Sequence, residues 1–242
     1  MEIIILLGIF IGTIAGFFGV GGGAVLVPIL MMMGYSIQDA VSISVIQMLI
    51  SSFAGSFLNY KSKKLDISIV IYLGLGALIG GFISPYIVLN TPAIVLQIMF
   101  LAFTLLAFGK FLYTPAQSEV VKQENKLLLS GVGFIIAVTS ASVGIGGAIL
   151  ITPFLNAYMG YELKKATAAS LFFVLFSSFA GTISWIFTGE LLYKEGLILG
   201  VASILGVWLG LYFTHKVKVK TFKLLLMTLY VMILIYMINK IF

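Results

Sequence analysis

Gly19-Val20-Gly21-Gly22-Gly23, followed by Pro28, interrupts one very apolar stretch, and Gly144-Ile145-Gly146-Gly147-Ala148, followed by Pro153, interrupts another. A broken helix is tolerated in a bilayer only where protein or a water-filled cavity satisfies the freed backbone groups. Two such breaks at matching places in two chain halves are the sequence mark of a transport site.

The surrounding composition requires a membrane. Of 242 residues, 61% are hydrophobic and 9% charged, and the mean hydropathy is +1.20. Uncharged runs long enough to span hydrocarbon follow one another. With no cysteine, disulfides, thiolate metal sites and cysteine nucleophiles are excluded. The net charge of +6 would suggest nucleic acid in a soluble protein. Here the lysines sit in short loops and report topology, so no nucleic acid is expected and the lipid bilayer is the partner. Met1-Glu2 offers no basic stretch of the kind that opens a secretory leader.

Working outward from the glycines, the halves repeat. With Pro28 set against Pro153, Gly19, Gly21 and Gly22 match Gly144, Gly146 and Gly147. One inserted residue later, Gly34-Tyr35 matches Gly160-Tyr161. Ser44 then matches Ser170, and Ser51-Ser52-Phe53-Ala54-Gly55 matches Ser177-Ser178-Phe179-Ala180-Gly181. A period of about 125 residues is too long for a solenoid and reads as a duplicated membrane unit. The expected division is a first repeat over 1–115, a linker over 116–126 and a second repeat over 127–242. Each repeat holds a broken segment (3–33, 127–159) and three spans: 40–60, 67–89 and 93–113, then 166–189, 192–214 and 221–239.

Lysine placement decides whether a broken segment crosses once or turns back. All 14 basic residues are lysine. Single crossings put eight lysines on one side and six on the other; hairpins put twelve against two, with Lys194 and Lys240 alone opposite. The positive-inside rule selects the hairpins. Both termini are then extracytoplasmic, in what is expected to be a prokaryotic inner membrane. Because each unit crosses an odd number of times, the second half is inverted relative to the first. The expected fold is thus an all-α polytopic membrane protein of two inverted-topology repeats, each a re-entrant hairpin plus three transmembrane helices.

Ala24–Met33 is ten residues, about 15 Å of helix, which reaches the middle of a hydrocarbon core about 30 Å thick. Each half-helix would aim its unpaired N–H groups and positive dipole end at the midplane. Two such ends make an anion site without a charged side chain. Every Asp and Glu falls at the ends of the expected spans or in loops, and a cation would want carboxylates or carbonyl rings. The expected substrate-binding residues are Gly19, Gly21, Gly22, Gly23, Gly144, Gly146 and Gly147 at the tips, with Ser44, Gln47, Ser51, Thr167, Ser170 and Ser177 facing them. Ser44, Gln47, Ser51 and Gly55 share one helix face, as do Ser170, Ser177 and Gly181, with Thr167 one turn before Ser170. The bland reading of any one hydroxyl is an interhelical hydrogen bond. Gln47 stands out, because a buried amide is costly without a partner; its repeat equivalent is Phe173, which makes the site asymmetric. Other glycines, including Gly12/Gly16, Gly76/Gly80, Gly196/Gly200 and Gly206/Gly210, read as close helix packing. His215, the single histidine, falls at a span end beside Lys216.

The tips carry a resemblance. Gly19 through Gly23 to Pro28, then Ala40-Val41-Ser42-Ile43-Ser44 and Leu65-Asp66, resemble the first half of the sulfite exporter TauE/SafE family. Gly144-Ile145-Gly146-Gly147 through Pro153, then Ala166-Thr167-Ala168-Ala169-Ser170, resemble its second half. Ala148 departs from the family, which often has a third glycine there, and Ala168-Ala169-Ser170 is less polar than usual. The resemblance implies a permease for small anions, among them sulfite and sulfonate-type organosulfur compounds.

The expected function is therefore anion transport by alternating access, with a small anionic substrate and no cofactor or metal. Rival readings are an anion channel and a non-transporting scaffold. An intramembrane enzyme needs a nucleophile with a base, or metal ligands; this sequence offers no membrane-buried acids and one peripheral histidine, so no catalytic residue is expected.

Overall fold

The computed structural model describes residues 2–62, 67–113 and 125–241. Lys63, Lys64, Leu65, Asp66, Lys122 and nearly all of the 116–126 linker lie outside the described residues, as does the side chain of His215. The helices are α1 (Glu2–Phe18), α2 (Gly23–Met32), α3 (Ile37–Lys61), α4 (Ile67–Asn90), α5 (Ala93–Tyr113), α6 (Lys126–Ala141), α7 (Ala148–Pro153), α8 (Leu163–Thr188), α9 (Tyr193–Lys216) and α10 (Val219–Ile241). No strand occurs among the described residues. Among the described residues six helices are long and apolar enough to cross a membrane, namely α3, α4, α5, α8, α9 and α10.

Local chemistry sets the boundaries. Ser36 caps α3 by accepting from the Asp39 amide at 3.0 Å, and Asn125 caps α6 through the Leu127 amide at 2.9 Å. Gly189, at φ 75°, ends α8. Between α1 and α2 the chain doubles back. A Cβ on Gly22 would lie 2.9 Å from Ile11 Cγ2, whereas a straight helix would hold the two residues about 16 Å apart. The second half turns likewise, with Gly147 brought against Ser140. Both broken segments bend back sharply at their glycine clusters.

Pro153 passes directly into a π-helical turn, Phe154–Tyr158; α2 stays α-helical through Met32. A π turn is how a helix absorbs one extra residue. The single-residue shift in the repeat between Pro153 and Gly160 falls on this turn, and Asn156 Nδ2 ties it down by donating to the Tyr161 carbonyl at 2.7 Å.

The tertiary pairings exchange under swapping of halves. α3 and α8 cross antiparallel at the centre: a Cβ on Gly55 would meet Leu171 at 2.9 Å, and one on Gly181 would meet Val45 at 3.0 Å. These two contacts are equivalents of each other in the repeat. α1 runs parallel to α9, with Gly8, Gly12 and Gly16 against Leu199, Ser203 and Val207. α6 runs parallel to α4 in the same manner, with Gly76 and Gly80 against Ser130 and Phe134. The first helix of each broken segment thus packs on a span of the other half. The small-residue stripes make this possible: a methyl on Gly12 would fall 2.2 Å from the Ser203 carbonyl oxygen. Over their most apolar stretches α3 is 67% buried and α5 only 28%, so α3 is the most enclosed of the six long helices and α5 the least.

Candidate functional site

The two glycine tips meet beside the midpoints of α3 and α8. Gly19, Gly21 and Gly22 have φ of 70°, 71° and 92°; Gly144, Gly146 and Gly147 follow with 75°, 70° and 93°. The same backbone shape is built twice. It demands glycine most plainly at Gly22 and Gly147, which cap α2 and α7 in a left-handed conformation that a Cβ resists.

Serines fasten these tips. Ser51 donates to the Gly21 carbonyl at 3.1 Å and Ser177 to the Gly146 carbonyl at 2.9 Å. Ser170 reaches across to the Gly19 carbonyl at 2.7 Å, and Ser44 across to the Gly144 carbonyl at 3.4 Å. The four are two repeat-equivalent pairs, one within a half and one between halves. Each hydroxyl has a single proton, and each also approaches the carbonyl three residues earlier in its own helix. In this conformation their donors are committed to backbone. Ser170→Ala would leave the buried Gly19 carbonyl short of a donor, with an expected loss of about 1–3 kcal/mol. A thermal melt checks this against Ser203→Ala, which gives up only a bond within α9, to Gly200, and is expected to be nearly neutral.

The tip amides, by contrast, are free. Among the described residues the N–H groups of Gly22, Gly23 and Ala24 find no acceptor, nor do those of Gly147, Ala148 and Ile149. They are the orphan donors of helix starts. Gln47 lies against them, 0% exposed, with neither amide atom hydrogen-bonded. A Cβ on Gly22 would sit 2.7 Å from Gln47 Oε1. On the other side, Phe173 and Ser140 pack against Gly147 where Gln47 packs against Gly22, so only the first tip has a carboxamide facing it.

The tips touch. A Cβ on Gly23 would fall 2.1 Å from the Gly144 carbonyl oxygen, and Met48 and Val174 wedge against Gly21, Gly23 and Gly146. Thr167 donates its hydroxyl to the Lys164 carbonyl at 2.8 Å, and its own carbonyl abuts Gly19. All thirteen residues singled out in the sequence therefore gather at this one place.

A cavity of about 150 Å³ leads from the end where α8 begins and α9 finishes down to Gly19 and Thr167. Asn59 lines it, 3% exposed and with Nδ2 unpartnered. Sequence reasoning passed over Asn59, although it continues the Ser44, Gln47, Ser51, Gly55 face by one more turn. Its repeat equivalent, at the opposite end, is Trp185, 1% exposed. There the loop after Gly189 is also pinned, Ser42 donating to the Glu190 carbonyl and accepting from the Leu192 amide. Among the described residues no group of His, Cys, Asp and Glu could hold a metal ion.

The family model described as sulfite exporter TauE/SafE matches residues 4–237. The chain belongs to the sulfite exporter TauE/SafE family. A probable membrane transporter protein of Methanocaldococcus jannaschii is 28% identical, over 93% of this chain and 91% of its own length. Another, YunE of Bacillus subtilis, is 22% identical over 96% and 94%. A sulfite exporter TauE/SafE family protein of Arabidopsis thaliana is 36% identical over a shorter region, 37% of this chain and 21% of that protein. No solved structure matches the chain. As a TauE/SafE member with six apolar spans, the protein is an integral membrane protein of a transporter family, not an enzyme.

Proposed function

We propose that this TauE/SafE protein is a permease for small oxyanions of the sulfite and sulfonate kind, moved by alternating access between two inverted halves. The observation that carries this reading is Gln47: an unpartnered amide, fully buried, laid against helix-start N–H groups that also lack acceptors. An oxyanion supplies the acceptors that both need, and helix starts favour negative charge. The ligand enters as the tips part, because Gly23 and Gly144 are in contact here. The antiparallel crossing of α3 with α8 supports inversion of the halves. The lysines at the α8 start, the α9 end and the α10 start support a cytoplasmic assignment for that face, with extracytoplasmic termini.

Carrier is favoured over channel by a specific asymmetry: the cavity opens beside Asn59, whose repeat equivalent is the buried Trp185, and the loop after Gly189 is pinned at the opposite end. An inside-negative potential would drive export of a monovalent anion by about 2.3 kcal/mol per 100 mV, or about fiftyfold. Proteoliposome flux with sulfite, methanesulfonate, acetate and choline, at zero and imposed potential, tests the reading. Expected are saturable flux of the sulfur oxyanions, exclusion of choline, and potential-driven exit. Flux indifferent to the sign of the solute's charge would overturn it, and single-channel currents would replace the carrier by a channel.

A further inference from the structure

Among the buried polar atoms left without a hydrogen-bond partner, four form two repeat-equivalent pairs. Ser56 Oγ and Asn59 Nδ2 lie on α3; Thr182 Oγ1 and Trp185 Nε1 lie on α8. With Ser51 set against Ser177, Ser56 matches Thr182 and Asn59 matches Trp185. A buried donor without an acceptor is unfavourable, and a buried Trp N–H ordinarily finds one. Neighbouring hydroxyls show what is usual in this fold. Ser52 and Ser178, one turn earlier, donate to the Leu49 and Val174 carbonyls of their own helices. The exception is made twice, at equivalent places, so it belongs to the duplicated unit and not to one accident of packing.

Ser52, Ser56 and Asn59 fall at i, i+4 and i+7, on one face of α3; Ser178, Thr182 and Trp185 do the same on α8. Gly55 and Gly181 belong to these faces and pack against Leu171 and Val45 of the opposite helix. The two rows therefore lie along the α3–α8 seam. The same contacts fix the register: Ser56 comes level with Ser170, and Thr182 with Ser44. Asn59 and Trp185 then lie about 14 Å to either side of the midpoint of the crossing, close to half the thickness of a hydrocarbon core. Between the rows, Met48 and Val174 stand against the glycine tips, so each row runs from the tips toward one end. Each of the four groups can donate a hydrogen bond. The acidic residue of α3 is Asp39 in its first turn, and α8 has none. This lining suits an anion and offers a cation little.

We propose that the α3–α8 seam is the route by which solute reaches the tips, opened one end at a time as the two helices scissor about their midpoint. Ser56 and Asn59 line one half of the route, Thr182 and Trp185 the other. All four atoms are enclosed in the present conformation, so neither half is open along its length. Two rods held together at the middle close at one end as they part at the other, which is alternating access in geometrical form. Opening an end returns its two unpartnered groups to water or to the solute, and that gain offsets the seam packing lost there. The proposal rests on the reading of the chain as a transporter, but its readout is labelling and requires no flux.

The chain has no cysteine, so Ser56→Cys and Thr182→Cys each supply a sole thiol; Asn59→Cys and Trp185→Cys replace them where a variant fails to fold. Right-side-out and inside-out membrane vesicles holding the full chain are treated with a membrane-impermeant maleimide. Ser56→Cys is expected to label only from the face that bears Lys164 and Lys165, and Thr182→Cys only from the opposite face. In the double variant, a bulky label on one cysteine should slow labelling of the other about fivefold or more. Ser203→Cys, packed against Gly12, should stay unlabelled from both faces. Inert thiols at both positions, labelling of both from one face, independent labelling in the double variant, or equal labelling of Ser203→Cys would each overturn the seam route. Reciprocal labelling beside flux indifferent to solute charge would spare the seam and sink the oxyanion reading. Saturable oxyanion flux with inert thiols would sink the seam alone.

Discussion

Gly23→Ala is expected to insert and fold yet transport about 10²-fold more slowly. Gly23 does not have the left-handed backbone of its neighbours, so alanine suffers no strain of its own. The obstacle is the other tip. The new methyl would sit 2.1 Å from the Gly144 carbonyl oxygen and 2.6 Å from Met48 Sδ. A methionine sulfur can move aside. The carbonyl cannot move freely, since it ends the other hairpin and accepts from Ser44. Relieving the clash separates the tips by about 1 Å, a displacement of the size that costs about 10²-fold in a positioned site. The control is built into the repeat: Ala148 already carries a methyl at the equivalent position, so Ala148→Gly should leave flux unchanged. Vesicle flux normalised to inserted protein reads both variants. Wild-type flux in Gly23→Ala would remove tip contact from the mechanism.

Gln47→Leu is expected to make the protein more stable and less active together. The amide is 0% exposed with neither polar atom satisfied, and leucine of similar volume removes that penalty of about 1–3 kcal/mol. The apparent unfolding temperature should rise by about 2–10 °C. Flux of sulfite or methanesulfonate should fall about 10- to 100-fold, the value of a hydrogen bond to a charged ligand. A purely structural glutamine would give the reverse pattern, with melting temperature and flux falling in parallel, and that outcome would take Gln47 out of the site.

Much of the architecture was legible because the bilayer permits few solutions. Ile67–Asn90 and Ala93–Tyr113 could be read almost to the residue, since an uncharged run of that length has one stable form in hydrocarbon. Hairpins were expected from lysine placement; the structure shows the chain bending back at Gly22, which lies against Ile11. The inserted residue between Pro153 and Gly160 was visible as a slip in the repeat, but its form, a π turn held by Asn156, was not. The serines were found for a sound reason, as polar groups on one helix face. That their protons go to tip carbonyls depends on the distance between segments far apart in sequence. Asn59 was missed although it prolongs the same face, because its meaning comes from the cavity beside it.

The sequence by itself determined that this protein lives in a membrane, that it is made of two like halves, and that each half breaks at a glycine cluster. Those are consequences of hydrophobicity, length and backbone freedom, which act along the chain. Only the tertiary structure decided that the tips touch through Gly23 and Gly144, that Gln47 and Asn59 are left without partners, and that a cavity lies beside Asn59. Those depend on which side chains two separately encoded hairpins bring face to face, and no local property of either hairpin specifies that.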